Sequence, residues 1–215
     1  PEAGDYFAFD DTGVPILIVR QPDGDLKAFV NICSHRGAPL NECDHGQAKK
    51  GRMFSCPYHG WTYDLEGKLI GVPFGNEGFE GIDREALGLR KLDEQEKHGM
   101  IFVMPNPEKT FDIDEVLSGV QERIQGFGFE DHYYLGAKQV YTDFSWKLNM
   151  DTFHEYYHFE FLHPETIGQM AYSNLSTYHQ YGRNHSMGSA TLQINELKEI
   201  PEEQWNPRAY SSYVN

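Results

Sequence analysis

Four residues in two short segments carry the first candidate chemistry of this sequence. Cys33 and His35 form a Cys-x-His pair, and Cys56 and His59 form a Cys-x-x-His pair. Two cysteines and two histidines could bind one zinc ion. A [2Fe–2S] centre with two thiolates on one iron and two imidazoles on the other requires each of two loops to donate one Cys and one His. The pairing therefore favours an iron–sulfur centre over zinc.

The third cysteine, Cys43, has no histidine at a comparable spacing. We predict that it is a small buried residue and not a ligand. Three cysteines are too few for a disulfide framework, which indicates a reducing compartment. We accordingly expect a cytoplasmic protein.

A second group of ionisable residues extends from Asp151 to His163, with three histidines and three carboxylates among aromatic residues. Ionisable groups in an apolar setting must be paired or bind a metal. In one interpretation, His154-Glu155-Tyr-Tyr-His158 is an HExxH motif, which on a helix presents two imidazoles and a general-base Glu to zinc, as in a hydrolase. That interpretation also requires a third protein ligand downstream.

The residues around the first group resemble the Rieske motif of the non-haem iron oxygenases. They read Cys33-Ser-His-Arg-Gly-Ala-Pro-Leu40 and, further on, Phe54-Ser-Cys-Pro-Tyr-His-Gly-Trp61. The similarity is to the N-terminal and central part of the α subunit, the large catalytic one. It implies a Rieske [2Fe–2S] cluster bound by Cys33, His35, Cys56 and His59.

The second group is similar to the mononuclear iron motif of the same family. An acidic residue precedes a histidine by three positions and a second histidine follows five positions later, at Glu155, His158 and His163. The resemblance implies that both histidines bind Fe(II) and that the third ligand is an aspartate beyond residue 215. Glu155 stands where the family commonly has a bridging Asp, and Asp151 where Asn is frequent. Catalytic roles for both are implied.

The resemblance also implies a reaction. Electrons from NAD(P)H pass through a reductase or ferredoxin partner to the cluster, and from His59 across Glu155 of a neighbouring subunit to Fe(II). Oxygen is activated there, and a small organic substrate is hydroxylated by ring dihydroxylation, monooxygenation or demethylation. A homotrimer follows, with or without a β subunit.

The substrate class and two other functions stay open. The substrate is aromatic or a quaternary amine, and Glu at the bridge occurs in family members that act on choline, glycine betaine or carnitine. The chain could instead be a Rieske ferredoxin-type electron carrier. It could also be a zinc hydrolase that uses the His154 to His158 segment.

The first group must be positioned by short β-type segments, which are separated by turn residues of the types Gly, Pro, Asp and Asn. They predict a hairpin of 14–20 with 26–31, a second hairpin of 61–64 with 67–70, and a last strand at 98–104. Two prolines at 105 and 107 then mark a boundary. We predict a Rieske domain over 1–104 and a partial catalytic domain over 105–215.

The second domain must combine helices and strands. Asp112 and Glu115 have capping-box spacing, and Gly126 and Gly128 end the helix that they begin. Its apolar stripe consists of Ile113, Val116, Leu117, Val120 and Ile124. Residues 133–146 alternate like a strand, and 147–162 predict a helix that ends before Pro164.

These patterns predict the fold class α+β, with an antiparallel β domain first. The resemblance implies that this is the Rieske domain and that the start of a helix-grip (START-like) α+β catalytic domain, truncated, follows it. Within the 147–162 helix, His154 could be a neighbour of the iron ligands, a proton donor or an ordinary helix histidine, and we expect the last. Four aromatic residues should pack in the core: Phe153, Tyr156, Phe159 and Phe161.

Composition excludes two classes of partner. The formal net charge is −15, from 18 basic and 33 acidic residues, and such a charge repels the phosphate backbone of nucleic acids. No apolar run approaches the roughly 20 residues that a membrane span requires. We therefore expect no nucleic-acid or membrane partner, and the partners that the resemblance implies are a protein electron donor, oxygen and a small molecule.

Overall fold

The computed structural model describes residues 2–41, 43–136, 138, 140–205 and 211–214, the last four by their backbone alone. The chain forms two compact units. The first is Pro1–Glu115 with Gly128–Asp131, and the second is Val116–Phe127 with His132–Asn215. The boundary that the prolines suggest after Met104 stays a prediction.

The first unit is the predicted antiparallel β structure. Its strands are β1 (Asp5–Phe9), β2 (Ile16–Arg20), β3 (Leu26–Val30), β4 (His45–Gln47), β5 (Met53–Ser55), β6 (Thr62–Asp64), β7 (Leu69–Gly71), β8 (Lys91–Lys97) and β9 (Met100–Met104). One sheet has the order β4-β1-β2-β3-β8-β9, and β5-β6-β7 form another. A single helical turn, α1 (Gly75–Gly78), follows β7.

Both predicted hairpins are present. Strand β2 pairs antiparallel with β3, and β6 pairs antiparallel with β7. Strand β2 is buried on both faces: Leu17 and Val19 join a core cluster that includes Cys33 and Cys56, whereas Ile16 joins a second cluster. The cysteine-bearing loops are thus anchored in the main core of this unit.

The remaining elements are helices and a small sheet. They are α2 (Ile113–Val116), α3 (Gln121–Gln125), α4 (Trp146–Phe153), α5 (Phe159–Leu162), β10 (Ala171–Tyr181), β11 (Asn184–Thr191) and β12 (Ser211–Val214). The strands pair antiparallel in the order β10-β11-β12. Turns of 3₁₀ helix occur at Phe129–Asp131, Ile167–Gln169, Leu192–Glu199 and Glu202–Gln204. Among the described residues, no helix is long and apolar enough to cross a membrane.

The single helix predicted from Asp112 to Gly126 is wrong in its length. Asp112 does cap α2, because its Oδ1 accepts a hydrogen bond from the N–H of Asp114 at 2.8 Å. The chain then leaves the helical path, since Gly119 has a φ of 80°, which a right-handed helix does not allow. The predicted stripe is accordingly incomplete, and Val116 is exposed.

The expectations for 133–162 also need correction. The described residues of 132–145 contain no strand, and Tyr133, Leu135 and Tyr141 are exposed; residues 137 and 139 lie outside the described part. The helix predicted over 147–162 is divided into α4 and the single turn α5.

This division explains why the four aromatic residues do not share one core. Tyr156 is buried and Phe159 is partly buried, but Phe153 and Phe161 are exposed. A stripe of residues packs on one face only while the helix continues. The prediction of a common aromatic core is therefore wrong for Phe153 and Phe161.

Candidate functional site

The two cysteine-bearing loops have the same backbone hydrogen bonds. In each, the cysteine N–H donates to the carbonyl five residues later, and the N–H of a glycine four residues later donates to the cysteine carbonyl. The bonds are Cys33 N to Ala38 O (2.8 Å), Gly37 N to Cys33 O (2.9 Å), Cys56 N to Trp61 O (2.8 Å) and Gly60 N to Cys56 O (2.9 Å). Both glycines have positive φ angles of 76° and 72°, which favour glycine. The loops are structurally equivalent although their Cys–His spacings differ.

The structure brings like ligand types together. Cys33 and Cys56 are buried free thiols, and they are neighbours: burial above all, and also the Cys33 thiol, raises the pKa of Cys56. The imidazole rings of His35 and His59 lie 4.6 Å apart between centroids. A thiol pair beside an imidazole pair is the division of ligands that a Rieske cluster requires.

The His35 ring packs against two aromatic side chains. Its ring stacks on Trp61 at 4.8 Å with an interplanar angle of 7°, and Phe79 lies edge-on at 6.0 Å. Burial lowers the pKa of His35, with His59 and Arg36 adding to the effect. Its Nδ1 is buried and has no hydrogen-bond partner among the residues that the structure describes. A buried unpartnered nitrogen is costly unless it has a ligand, so the loops fit a bound metal cluster.

His59 differs from His35 in exposure. His59 is exposed. Its ring centroid lies 3.8 Å from that of Tyr58, which is also exposed. The two candidate imidazole ligands are therefore not equivalent, because His35 faces the protein and His59 faces solvent.

Tyr63 is a residue of this site that the sequence analysis missed. Its hydroxyl lies 3.3 Å from the Cys33 Sγ and accepts a hydrogen bond from the Ser34 N–H at 3.1 Å. The side chain is fully buried, and burial followed by the neighbouring Cys33 raises the pKa of Tyr63. Because the phenol stays protonated, its O–H can donate to the sulfur. The sequence signal that could have identified Tyr63 is strand alternation, because Tyr63 lies two residues after Trp61.

The HExxH segment is not on a continuous helix. Helix α4 ends at Phe153, and His154 caps it: its N–H donates to the carbonyls of Met150 and Asp151, and its Nδ1 donates to Met150 O at 2.6 Å. The zinc interpretation requires His154 and His158 on one helical face. The break after Phe153 removes that geometry. The contacts of His154 are those of a helix cap, and its role stays a prediction.

Glu155 instead folds back on His158. Its carboxylate accepts hydrogen bonds from the His158 Nδ1 and from the His158 N–H at 3.3 Å. Burial acts to raise the pKa of Glu155, but the hydrogen bonds from His158 outweigh it, so that this pKa lies below its usual value. The contact places a proton on Nδ1 and leaves Nε2 of His158 available as a ligand.

His158 and His163 flank the single turn α5 as its N-cap and C-cap. Their ring centroids are 5.5 Å apart. Two imidazoles at this separation can bind one ion between them, and a carboxylate behind one of them is the usual support for a metal-bound histidine. The segment therefore contains two ligand positions and their supporting group.

Two family models match the chain. One, the Rieske [2Fe-2S] domain, matches residues 1–84. The other, the ring hydroxylating alpha subunit (catalytic domain), matches residues 129–214. The chain belongs to the Rieske oxygenase α subunits. The fold class predicted from the sequence is confirmed by this membership and by solved structures of Rieske oxygenases.

Curated relatives include both dioxygenases and monooxygenases. The anthranilate 1,2-dioxygenase large subunit of Burkholderia cepacia is 33% identical over 169 residues, which are 76% of this chain and 39% of the relative. The glycine betaine monooxygenase oxygenase subunit of Chromohalobacter salexigens is 29% identical over 170 residues, 79% of this chain and 37% of the relative. The chain thus spans less than half the length of these Rieske oxygenase subunits.

Among solved structures, a quaternary ammonium Rieske monooxygenase superposes with a TM-score of 0.78 at 26% identity. The match covers 88% of this chain and 51% of that protein, whose structure concerns carnitine oxidation and inter-subunit electron transfer. At this coverage the match includes residues of both units.

Within the described residues, no group of three or more His, Cys, Asp and Glu side chains converges on a single metal position. Of the residues predicted to bind Fe(II), His158 and His163 lie close together. The Asp151 carboxylate, in the described part of the chain, has no hydrogen bond or ion pair with the other candidates, so its predicted catalytic role stays a prediction.

Cys43 departs from its prediction. The residue is exposed, and not the small core residue that was expected. The Asn41 side chain donates to the Cys43 carbonyl at 2.7 Å. This polar contact fixes the backbone at Cys43 without burial of its side chain.

Proposed function

We propose that this chain is the part of a Rieske oxygenase α subunit that binds the [2Fe–2S] cluster and supplies two of three ligands to a mononuclear Fe(II). When bound, the cluster delivers single electrons and the ferrous ion activates oxygen for hydroxylation of a small organic substrate. The cluster ligands are Cys33, His35, Cys56 and His59, and the Fe(II) ligands are His158 and His163. The observation that carries the proposal is the Glu155–His158 contact beside His163, because an electron carrier has no use for it.

The cluster loops have two tasks in this proposal. The buried thiols of Cys33 and Cys56 exclude water from one side, and Trp61 keeps the His35 ring fixed. His59 is the exposed ligand. We therefore assign contact with other proteins to the His59 side of the loops.

Glu155 has a positioning role and a proposed contact role. By holding the Nδ1 proton of His158, it directs Nε2 toward the metal position. We also propose that Glu155 meets His59 of a neighbouring copy in a homotrimer, with or without a β subunit. The solved relative, which concerns inter-subunit electron transfer, supports this arrangement.

The electron source and the compartment are part of the same proposal. Electrons come from NAD(P)H through a reductase or ferredoxin, in the cytoplasm. Adding each candidate reductase with NADH or NADPH to the purified protein, and following reduction of the cluster by its absorbance, identifies the donor.

For the substrate, we propose a quaternary amine first and an aromatic compound second. Glu155 at the bridge and the similarity to a glycine betaine monooxygenase and to a quaternary ammonium monooxygenase support the first class. The similarity to anthranilate 1,2-dioxygenase supports the second. Turnover in which product matches oxygen consumed, for a betaine but for no aromatic acid, is the expected result. Coupled hydroxylation of an aromatic ring would reverse the order.

The class of enzyme is tested by metal analysis and electron paramagnetic resonance (EPR) on the full-length protein. Iron and acid-labile sulfide are quantified, and spectra are recorded after dithionite and then after nitric oxide. A Rieske signal together with a ferrous nitrosyl signal is expected. A Rieske signal without the nitrosyl signal would indicate an electron carrier. Zinc without labile sulfide would indicate a hydrolase.

A further inference from the structure

The helical turn α5 sets the distance between His158 and His163. Helix α5 contains four residues. One histidine flanks it on each side, His158 as the N-cap and His163 as the C-cap. A single turn has too few internal hydrogen bonds to be stable alone. The separation of the two imidazoles must therefore depend on contacts that α5 makes with residues outside it.

The first such contact is with Gly168. Its N–H donates to the His163 carbonyl at 3.0 Å. A Cβ at this position would lie 2.6 Å from the Phe159 carbonyl oxygen and 2.8 Å from that of His163. These oxygens belong to the first residue of α5 and to its C-cap. Gly168 lies outside the left-handed region, so glycine is required here by space and not by backbone conformation.

The second contact is with Ser173 on β10. Its Oγ accepts a hydrogen bond from the Glu160 N–H at 3.0 Å. Glu160 is the second residue of α5, where the N–H has no carbonyl within the helix to bind. A strand residue thereby supplies the missing acceptor at the N-terminal end, while Gly168 holds the C-terminal end.

We propose that Gly168 and Ser173 are positioning residues that fix the spacing of the His158 and His163 imidazoles. Gly168 lets the following segment approach until it contacts both ends of α5, and Ser173 fastens the first turn to the sheet. The metal readout of this inference rests on the proposed function. The geometric readout does not.

The test compares G168A and S173A with matched controls in the full-length protein. At Gly78, no heavy atom of the described residues lies within 4 Å of the point that an added Cβ would occupy, and its φ is ordinary, so G78A is the control for added bulk. Ser176 is exposed on the same strand as Ser173, so S176A is the control for hydroxyl loss. Fe(II) affinity is measured by titration with the ferrous nitrosyl EPR signal, and the Rieske signal of the same sample is the internal reference.

G168A should bind Fe(II) about 10–100-fold more weakly, the usual effect of losing an outer support of a metal ligand. S173A should weaken binding about fivefold, as one lost hydrogen bond predicts. The Rieske signal should persist in both, and neither control should change either signal. A merely structural role would lower the melting temperature without this selective loss of Fe(II).

A metal-free crystal structure of each variant gives the second readout. The His158–His163 centroid separation should depart from 5.5 Å in G168A and stay unchanged in G78A. An unchanged separation with undiminished Fe(II) affinity would overturn the inference. If G168A does not fold, S173A against S176A decides. A wild-type protein that binds no Fe(II) contradicts the proposed function, while the crystallographic comparison still tests the spacing.

Discussion

Glu155 accepts hydrogen bonds from both the imidazole and the backbone N–H of His158, three residues later in the chain. The contact is local and needs a break in the helix, because residues three apart in a continuous helix use their N–H groups for helical bonds. The end of α4 at Phe153 makes it possible. A supported imidazole in this segment is thus a result of the interrupted helix.

Replacing Glu155 by glutamine should preserve both metal sites and slow turnover. The amide can still accept from His158 Nδ1 but lacks the charge that supports the imidazole, and the expected loss is about 10–100-fold. Single-turnover oxidation of the reduced Rieske centre measures the effect, with E165Q, an exposed carboxylate nearby, as the control. Equal rates for E155Q and the wild type would remove Glu155 from the mechanism.

The Glu155–His158 contact should also give a pH-dependent stability. The pKa of Glu155 is below its usual value in the folded protein. A lowered carboxyl pKa contributes stability above the unfolded-state pKa and loses it as the pH falls through the folded-state pKa. The melting temperatures of wild type and E155Q should therefore differ at neutral pH and converge in acid. A difference that grows as the pH falls would contradict the assignment.

Tyr63→Phe should lower the reduction potential of the cluster by roughly tens of millivolts, because a hydrogen bond to sulfur favours the more negative reduced state. Stability should fall by about 1 kcal/mol as the Ser34 N–H loses its acceptor. Protein-film voltammetry provides the measurement. Tyr58→Phe is the control, since that exposed tyrosine is in the second loop and no hydrogen bond of its hydroxyl is seen among the described residues. Equal potentials for Y63F and Y58F would exclude the proposed donation.

His163→Ala and His154→Ala should have opposite consequences. H163A should abolish the ferrous nitrosyl signal and leave the Rieske signal, because His163 is a proposed ligand. H154A should keep both signals and cost about 0.5–1.5 kcal/mol of stability through the lost bond to Met150. Metal content and thermal denaturation of both variants distinguish these results. Loss of metal from H154A alone would restore the zinc interpretation.

Gly60→Ala should destabilise the first unit more than Gly37→Ala. Both substitutions force a left-handed conformation on alanine, at about 1–2 kcal/mol each. The new Cβ at Gly60 would also lie 3.0 Å from the Pro73 Cγ, whereas at Gly37 the nearest atom is the Ile32 Cγ2 at 3.9 Å. Differential scanning calorimetry should give the lower melting temperature for G60A. Equal melting temperatures would mean that Pro73 moves aside at little cost, and the opposite order would contradict the prediction.

Local features were predictable from the sequence. The hairpins of 14–31 and 61–70 follow from alternation and turn residues, and the Rieske loops follow from ligand types at short spacing. Helix ends were less predictable. The break at His154 depends on a cap and on the turn of Glu155 toward His158. The sequence pattern does not show either feature and therefore predicts one continuous helix.

The sequence by itself determined the family, the antiparallel first domain and the candidate ligands, since each depends on residues close together in the chain. Only the tertiary structure decided that Tyr63 reaches Cys33, that Trp61 and Phe79 enclose His35, and that Gly168 supports the turn between the two histidines. These contacts join loops to strands and helices to the segments that follow them. Their distances depend on how backbones pack, which residue spacing alone does not specify.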